Sequence, residues 1–268
     1  MPKVSILMSI YNCKNFDQLE KSIKSIIEQT YSDWELILYN DGSNDNGKTS
    51  CFLQEISKTN AKIRIIDCVD NHGLAFAKDQ MLKVAKGQYI TAQDDNDVSD
   101  LSRISIEVDF LDKHPSYAFV GTLGKVFDEN GVWGHYSLKE KPEKDSFLWS
   151  SPFLHPSVMF RREVLAKVGN YRVSKETRRA EDYDLFFRLY AQGYKGFNIQ
   201  KELYSYRINN DPHQKYRSMN DRIQEAKVRY KGYKLLNMSI RGIPYIIKPI
   251  LIGLIPQPIF YKIKKKQY

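Results

Sequence analysis

Cysteine is scarce in this chain of 268 residues, and the few that occur are scattered. Cys13, Cys51 and Cys68 are an odd number, lie far apart and form no Cys-x-x-Cys pair. This spacing favours neither a disulfide framework nor a zinc knuckle, and it is typical of proteins kept in a reducing compartment. We therefore expect a cytoplasmic protein without structural disulfide bonds.

The features of a leader sequence are not found in the first residues given. Residues 1–10 are apolar but short, and they have neither a basic start nor a small-residue cleavage site. Secretory leaders need both features. We expect no signal peptide, and we interpret this segment as a buried first strand.

The positive net charge of +9 is confined to one end of the chain. Residues 201–268 contain 15 Lys and Arg against 4 Asp and Glu, whereas residues 1–200 contain 26 against 28. A basic tail is typical of proteins that bind nucleic acid or an anionic membrane, and it also increases solubility. Nucleic acid is the least favoured of these, because its binders place basic residues among exposed aromatics rather than in a proline-broken apolar tail.

Strand-like and helix-like patterns alternate over the first 112 residues. Asn15, with Gln18 three residues later, has the pattern of a helix N-cap. Such β-α order predicts a parallel, doubly wound α/β sheet with its ligand crevice at the carboxyl ends of the strands. The predicted strands span residues 4–10, 34–39, 62–67 and 87–92, and the predicted helices begin at residues 16 and 74.

Polar side chains follow three of these strands. Asp41 and Asn71 come after the second and third, and residues 93–97 (Gln-Asp-Asp-Asn-Asp) come after the fourth. Carboxylates packed this closely repel one another, so a folded protein supplies a cation or hydrogen-bond donors to hold them. An acidic turn without a ligand is the alternative for the run alone. Because the three clusters share one edge of the sheet, we expect them to bind one ligand, a metal with a phosphate.

The second half of the chain is less regular. Residues 117–127 and 153–160 are predicted to be strands, the latter with a bulge or turn at its histidine and proline. Residues 180–190 are predicted to be an amphipathic helix with an acidic first turn. From spacing alone, Asp182 in that turn is also explained as a carboxylate that stabilises the helix dipole.

Six segments, in this order, resemble the family 2 glycosyltransferases with a GT-A fold. The resemblance implies a Rossmann-like, mostly parallel sheet in a catalytic domain over residues 1–210, followed by a C-terminal helical tail over residues 211–268. Within the catalytic domain, residues 1–112 are the nucleotide-binding half and residues 113–210 the acceptor half. The matching segments are residues 4–12, 29–36, 40–43, 71–74, 93–97 and 181–184.

The activity implied by this resemblance is inverting sugar transfer of the hexosyltransferase type. The donor is a nucleotide diphosphate sugar, expected to be UDP-linked, and the acceptor is a hydroxyl of a glycan. Bacterial surface-polysaccharide, lipid-linked oligosaccharide and glycoprotein glycan synthesis all use such enzymes. Two other classes remain open: an inactive or regulatory nucleotide-sugar-binding homologue, and a nucleotidyltransferase, which needs no acceptor base.

The resemblance also implies which residues bind the nucleoside. Tyr11 and Asp41 match positions that hold the base, where Asp41 accepts a hydrogen bond from uracil. Ser9, Asn71 and Gly73 lie on the same nucleotide-sugar-binding side.

The family's Asp-x-Asp motif, which contacts the ribose and holds Mn²⁺ or Mg²⁺ at the diphosphate, falls on residues 94–96. Asp94 and Asp95 are therefore expected to bind the nucleotide sugar, and Asp94 and Asn96 to bind the metal. Asn96 stands where the family has a second acid. An amide oxygen ligates a hard cation but carries no charge, so we expect weaker metal binding, with compensation from Asp94 or Asp97.

Asp182 matches the catalytic base, the carboxylate that removes a proton from the acceptor hydroxyl. Its neighbour Glu181 is the alternative base. His155 falls where the family shapes the sugar and acceptor pocket, although a histidine beside a proline is also explained as a packed turn residue.

The tail combines an apolar run with basic residues. Residues 243–261 are almost continuously apolar and are followed by four lysines within residues 262–266, but Lys248 and four prolines interrupt the run. We expect an interfacial anchor on the inner face of the plasma membrane. Packing on the body, packing in a homo-oligomer and a membrane span are the alternatives.

Overall fold

A computed structural model describes residues 1–208 and 217–255 of the chain. One mixed sheet runs through the described part. Its strands are β1 (Val4–Ile10), β2 (Trp34–Asp41), β3 (Ile63–Cys68), β4 (Tyr89–Ala92), β5 (Val98–Ser99), β6 (Phe119–Asp128), β7 (Gly131–His135), β8 (Met159–Arg161) and β9 (Gly196–Arg207). The helices are α1 (Phe16–Ile27), α2 (Lys48–Thr59), α3 (Leu74–Val84), α4 (Arg103–Lys113), α5 (Arg162–Lys167), α6 (Glu181–Ala191), α7 (Met219–Leu235) and α8 (Ser239–Leu254).

The strand order is β3-β2-β1-β4-β8-β6-β9-β5, and β7 pairs with β6 outside this path. The first four strands are mutually parallel, with Val4 of β1 opposite Trp34 of β2 and Tyr89 of β4. Their carboxyl ends therefore lie at one edge, which confirms the predicted doubly wound arrangement. The second half adds antiparallel pairings through β8, β5 and β7 and one parallel pairing of β6 with β9.

Alternation along β1 divides the core into two layers. Ile6 and Met8 face the layer that contains α1 and α4, whereas Leu7 faces the layer that contains α3 and α6. All three side chains are buried, and burying each contributes about 2 kcal/mol. At the start of α1, the Asn15 side chain accepts a hydrogen bond from Gln18 N (3.1 Å), as predicted.

The strand predicted over residues 153–160 is present only at its end, whereas the bulge or turn predicted at its histidine and proline is confirmed. His155–Ser157 form a 3₁₀ turn, and β8 begins only at Met159. Pro156 has no N–H to donate to a neighbouring strand, and Ser157 N instead donates to Leu154 O (2.9 Å). Helix α2 and strand β9 are elements for which the sequence patterns made no prediction.

The three helices α6, α7 and α8 stack closely because glycines remove side chains at their contacts. A Cβ added at Gly232 of α7 would lie 2.3 Å from the Phe187 ring of α6. A Cβ added at Gly242 of α8 would lie 2.3 Å from the Tyr233 ring of α7. Tyr233 and Phe187 belong to one buried cluster, so α7 packs against the core that contains α6.

The predicted domain boundary near residue 210 and the tail after residue 255 lie outside the described residues, and both stay predictions. Within residues 1–208 and 217–255, no helix is both long enough and apolar enough to cross a membrane.

Candidate active site

The acidic run after β4 forms a turn. Asp97 N donates to Asp94 O (3.3 Å), and Gln93 Nε2 donates to Asp97 O (2.9 Å). From α1, Ser22 Oγ donates to Asp94 O (2.8 Å). The turn is therefore held by its own backbone and by a buried glutamine, which leaves its carboxyl groups at the carboxyl edge of the sheet.

Strand β9 holds the same turn from the other side. Arg207 N donates to Asp97 Oδ1 (2.7 Å) and Arg207 Nε donates to Asn96 O (3.0 Å). Asp94 N donates to the Tyr204 hydroxyl (3.2 Å). The alternating pattern of residues 203–207 is the sequence signal that could have identified these positioning residues.

Burial is the main cause that raises the pKa values of the three aspartates in this turn, and neighbouring carboxylates add to the rise. Burial raises the pKa of Asp94, Lys78 opposes the rise, and Asp182 adds to it. Burial and then Asp94 raise the pKa of Asp95 to about 6. Burial also raises the pKa of Asp97 well above its usual value.

This donor set fits a hard cation shared with a phosphate. Over the described ranges, no three His, Cys, Asp or Glu side chains are grouped to hold a metal by themselves. Mg²⁺ usually takes only one or two carboxylates and completes its coordination with water and substrate phosphates. Asp94 and Asp95 offer closely spaced carboxylates, and the amide oxygen of Asn96 follows them in the sequence, before Asp97. This set matches a cation held by few protein ligands and completed by water and phosphate.

Asp41, the last residue of β2, is 2% exposed. Its carboxylate accepts hydrogen bonds from Asn71 Nδ2 (2.9 Å), His72 N (3.0 Å) and Gly73 N (2.8 Å). Gly42 allows this close approach, because its φ is +67° and an added Cβ would lie 2.3 Å from the Asp70 carbonyl carbon. A carboxylate has about four acceptor positions, so these three donors leave one for a ligand N–H.

The loop after β1 is tied to the loop after β2. Asn12 N donates to Ser43 Oγ (2.9 Å), and Asn44 N donates to Asn12 Oδ1 (2.7 Å). These bonds place Tyr11, whose side chain is 50% exposed, beside the Asp41 loop. Ser9 lies partly exposed near the end of β1, opposite Tyr39 of β2.

A buried lysine links the two halves of the site. Lys78 of α3 is 4% exposed, and its Nζ lies 3.4 Å from Glu181 Oε1. Burial lowers the pKa of His155 well below its usual value, with a further contribution from Lys78, so the imidazole is neutral. His155 Nε2 lies 2.8 Å from the Tyr171 hydroxyl. Sequence reasoning missed Lys78, although a charged residue among the apolar positions of α3 was a usable signal.

Asp182, in the first turn of α6, is partly exposed, and its Oδ1 accepts a hydrogen bond from Tyr183 N (2.7 Å). It lines a cavity of 590 Å³ together with His155 and parts of α7 and α8. Glu181 is instead buried, paired with Lys78 and absent from that lining. Asp182 is therefore the carboxylate of the pair that faces the cavity.

The structure brings the three parts of the site together. Cys13, next to the Tyr11 loop, has its pKa raised chiefly by burial and also by Asp95, so this loop lies within electrostatic reach of the acidic turn. The charge of Asp182 likewise contributes to the raised pKa of Asp94, so the start of α6 also lies near the acidic turn. The loop after β1, the acidic turn and the start of α6 thus lie near one another.

A parallel β3-β2-β1-β4 sheet with an acidic turn after β4 and a carboxylate at the start of α6 defines a GT-A glycosyltransferase. Residues 5–169 match the model described as Glycosyl transferase family 2, and the chain belongs to that family.

Two relatives are similar over nearly their whole lengths. The glycosyltransferase-family protein EpsE of Bacillus subtilis (strain 168) is 36% identical over 99% of this chain and 94% of its own length. The UDP-Gal:alpha-D-GlcNAc-diphosphoundecaprenol beta-1,3-galactosyltransferase of Escherichia coli is 28% identical over 95% of this chain and 92% of its own.

Solved structures support the fold. S. aureus TarS in complex with UDP-GlcNAc has a TM-score of 0.70 and 15% identity, and the match covers 92% of this chain and 73% of that one. The mannosyltransferase PcManGT of Pyrobaculum calidifontis, in complex with GDP-Man and Mn²⁺, has a TM-score of 0.62 and 16% identity over 99% of this chain and 84% of its own.

Proposed function

We propose that this enzyme is an inverting, metal-dependent glycosyltransferase that moves a sugar from a UDP-linked donor to a glycan hydroxyl in bacterial surface-polysaccharide synthesis. One observation carries the proposal. Asp182 faces a ligand-sized cavity and lies close enough to the acidic turn to raise the pKa of Asp94. A proton acceptor and a diphosphate site are therefore adjacent, as sugar transfer requires.

The donor nucleoside fits between Tyr11 and Asp41. Tyr11 offers a half-exposed ring for a base, and the remaining acceptor position of Asp41 suits the N–H of uracil. Asn71 and Gly73 hold Asp41 in place through their hydrogen bonds, and Ser9 lines the same end of β1. The UDP-GlcNAc complex of TarS supports a uridine donor by analogy.

The diphosphate lies at the acidic turn. Asp95 contacts the nucleotide sugar, and Asp94 and Asn96 hold Mn²⁺ or Mg²⁺ there. When bound, the metal offsets the charge that develops on the departing diphosphate. The Mn²⁺ in the PcManGT complex supports this choice of cation.

Asp182 removes the proton from the acceptor hydroxyl as that oxygen attacks the anomeric carbon. Attack from the face opposite the diphosphate inverts the anomeric configuration. Lys78 contributes indirectly, because its pairing with Glu181 leaves Asp182 as the carboxylate that faces the acceptor. The neutral imidazole of His155, in the same cavity lining, shapes the pocket for the sugar.

A screen of nucleotide sugars tests the proposal directly. The full chain is incubated with UDP-, GDP- and TDP-sugars, with Mn²⁺, with Mg²⁺ or with EDTA, and release of the nucleoside diphosphate is measured. We expect slow hydrolysis of one UDP-sugar that EDTA abolishes. Binding of UDP without release from any donor would indicate an inactive homologue. Release of pyrophosphate from a sugar phosphate and UTP would indicate a nucleotidyltransferase.

We also propose that the enzyme works at the inner face of the plasma membrane, attached through α8. Five apolar side chains on one face of this helix are exposed: Ile240, Ile243, Ile247, Leu251 and Leu254. Residues 256–268 contain four lysines and no acid, which suits an anionic bilayer. Residues 256–268 themselves lie outside the described part of the chain.

Co-sedimentation with vesicles tests this attachment. The full chain should bind phosphatidylcholine vesicles containing phosphatidylglycerol, and Leu251→Ser should weaken binding about tenfold, because it removes one inserted side chain. Leu235→Ser is the matched control, since Leu235 is similarly exposed but lies on α7. If both variants bind vesicles equally, the exposed face of α8 does not bind the membrane. The same conclusion follows if the parent forms dimers that Leu251→Ser loses.

A further inference from the structure

Arg103, the first residue of α4, is a fully buried cation to which the transfer reaction described above gives no role. Its Nη1 and Nη2 both donate to Ala92 O (3.3 Å each), and Nη1 also donates to Pro156 O (2.8 Å). In the described part of the chain, its Nε has no hydrogen-bond partner. Two backbone carbonyl groups therefore orient the guanidinium, and it keeps this orientation although one buried N–H stays unbonded.

The two carbonyl groups belong to the two loops that the proposed function brings together. Ala92 ends β4 and comes directly before the acidic turn. Pro156 lies in the 3₁₀ turn beside His155, and both residues line the cavity that Asp182 faces. Arg103 thus connects the strand that leads into the acidic turn with the turn that forms one wall of the cavity.

A tyrosine adds a third contact. The Cζ of Arg103 lies 5.2 Å from the centroid of the Tyr204 ring, which is within the range of a cation–π interaction. The hydroxyl of this buried tyrosine accepts the hydrogen bond from Asp94 N (3.2 Å). Arg103 therefore supports the acidic turn at two points, through Ala92 and through Tyr204.

A buried glutamate beside Arg103 does not compete for its guanidinium. Glu107 lies one helical turn further along α4 and is fully buried. Within residues 1–208 and 217–255, neither of its carboxyl oxygens has a hydrogen-bond partner. Burial raises the pKa of Glu107 to about 8, although the charge of Arg103 opposes the rise. The carboxyl group therefore keeps its proton at neutral pH, and the uncompensated charge of Arg103 strengthens its hydrogen bonds to the carbonyl oxygens.

Arg161 makes the same kind of contacts at the opposite end of β4. Its Nε donates to Tyr117 O (2.9 Å), and its Nη2 donates to Leu111 O (2.6 Å). Its Cζ lies 5.7 Å from the ring centroid of Tyr89, the first residue of β4. Loss of the Arg161 side chain would therefore remove similar contacts at the other edge of the sheet, away from the acidic turn.

From these contacts we infer that Arg103 is a positioning residue for sugar transfer. It holds the acidic turn and the turn at Pro156 at a fixed spacing, so that the donor and the acceptor hydroxyl beside Asp182 are aligned. The inference rests on the proposed function, in which these two loops face donor and acceptor. A misplacement of about 1 Å in such a geometry can lower a rate about 100-fold, so the role is measurable.

Four variants of the full chain test the inference. Arg103→Met removes the hydrogen-bond donors and keeps a long side chain, whereas Arg103→Lys keeps the charge but lacks the planar guanidinium that donates to two carbonyl groups. Arg161→Met and Arg161→Lys are the matched controls. Calorimetry measures the affinity for UDP with EDTA and with saturating Mn²⁺. Hydrolysis of the donor that the nucleotide-sugar screen identifies gives kcat and KM, and thermal unfolding gives the loss of stability.

We expect all four variants to melt below the parent, because each loses buried hydrogen bonds. With EDTA, both Arg103 variants should bind UDP as the parent does, since Asp41 and Tyr11 are unchanged. In Arg103→Met, Mn²⁺ should enhance UDP affinity about tenfold less than in the parent, and kcat should fall about 100-fold. Arg103→Lys should recover part of the activity, to about tenfold below the parent. Both Arg161 variants should match the parent in kcat and in the effect of Mn²⁺.

A kcat and an effect of Mn²⁺ near the parent values in Arg103→Met, at temperatures where it is folded, would overturn the inference. Equal losses of kcat in the Arg103 and Arg161 variants would also overturn it, because the role would then be structural only. If Arg103→Met does not fold, Arg103→Lys decides, and parent values in that variant would reject the inference. A parent chain that hydrolyses no UDP-sugar, and whose UDP affinity does not respond to Mn²⁺, would instead contradict the proposed function.

Discussion

Replacing Asp182 by asparagine should separate binding from transfer. Asparagine has the same shape, and its Oδ1 can still accept the hydrogen bond from Tyr183 N. It cannot accept the proton of the acceptor hydroxyl. General-base catalysis contributes about 10²–10⁴-fold to rates, which corresponds to about 3–5 kcal/mol of activation free energy. Glu181 cannot replace the lost base, since it is buried and paired with Lys78, so we expect a loss near the upper end.

The assay measures UDP release from the donor that the nucleotide-sugar screen identifies, with acceptor present. Calorimetric titration with UDP and Mn²⁺ checks that the donor site is intact. Asp184→Asn is the matched control on the same helix, because Asp184 forms ion pairs with Arg172 (2.7 Å) and Arg188 (2.8 Å) and faces no ligand. The control should lower the melting temperature and keep its turnover at temperatures where it is folded. Turnover by Asp182→Asn near the parent rate, with UDP binding intact, would refute the assignment of the base.

Gly232→Ala should lower the free energy of unfolding by about 1–3 kcal/mol in urea titrations, because the new methyl group overlaps the Phe187 ring; an unchanged midpoint would contradict this packing. Glu107 is buried, and burial raises its pKa to about 8. The folded state therefore keeps the Glu107 proton, whereas the unfolded state loses it above about pH 4.3. The free energy of unfolding thus falls as pH rises from about 4.3 to 8. Glu107→Gln should therefore raise the melting temperature relative to the parent more at pH 8 than at pH 5, and a constant difference would count against it. Asn96→Asp should tighten Mn²⁺ binding in the presence of UDP, measured calorimetrically, whereas weaker binding would remove Asn96 from the metal site.

Local patterns were sufficient for the first half of the fold. The bounds of β1 agree with the prediction, and Asn15 caps α1 as its spacing from Gln18 predicts. The strand follows from apolar periodicity, and the cap follows from a hydrogen bond between residues three positions apart in the sequence. The position of Asp41 at a carboxyl edge also followed from the parallel order of the strands.

The choice between Glu181 and Asp182 depends on tertiary contacts that sequence patterns do not reveal. Spacing along the chain could not distinguish Glu181 from Asp182, because both lie in the first turn of α6. Only the position of Lys78, over 100 residues away, shows which carboxylate is buried. In the same way, Arg207 reaches the acidic turn through a strand pairing between residues far apart in the chain.

The glycine contacts at residues 232 and 242 have a practical meaning for redesign. They join the helix that carries Asp182 to the two helices that line the far wall of the cavity, while the loops that contain Tyr11 and Asp41 follow separate strands. Residues on α7 and α8 that face the cavity, such as Arg222 and Lys248, can thus be exchanged without altering the contacts around Asp41. Preference for a new acceptor could be engineered there, provided that both glycines are retained so that the wall keeps its distance from the base.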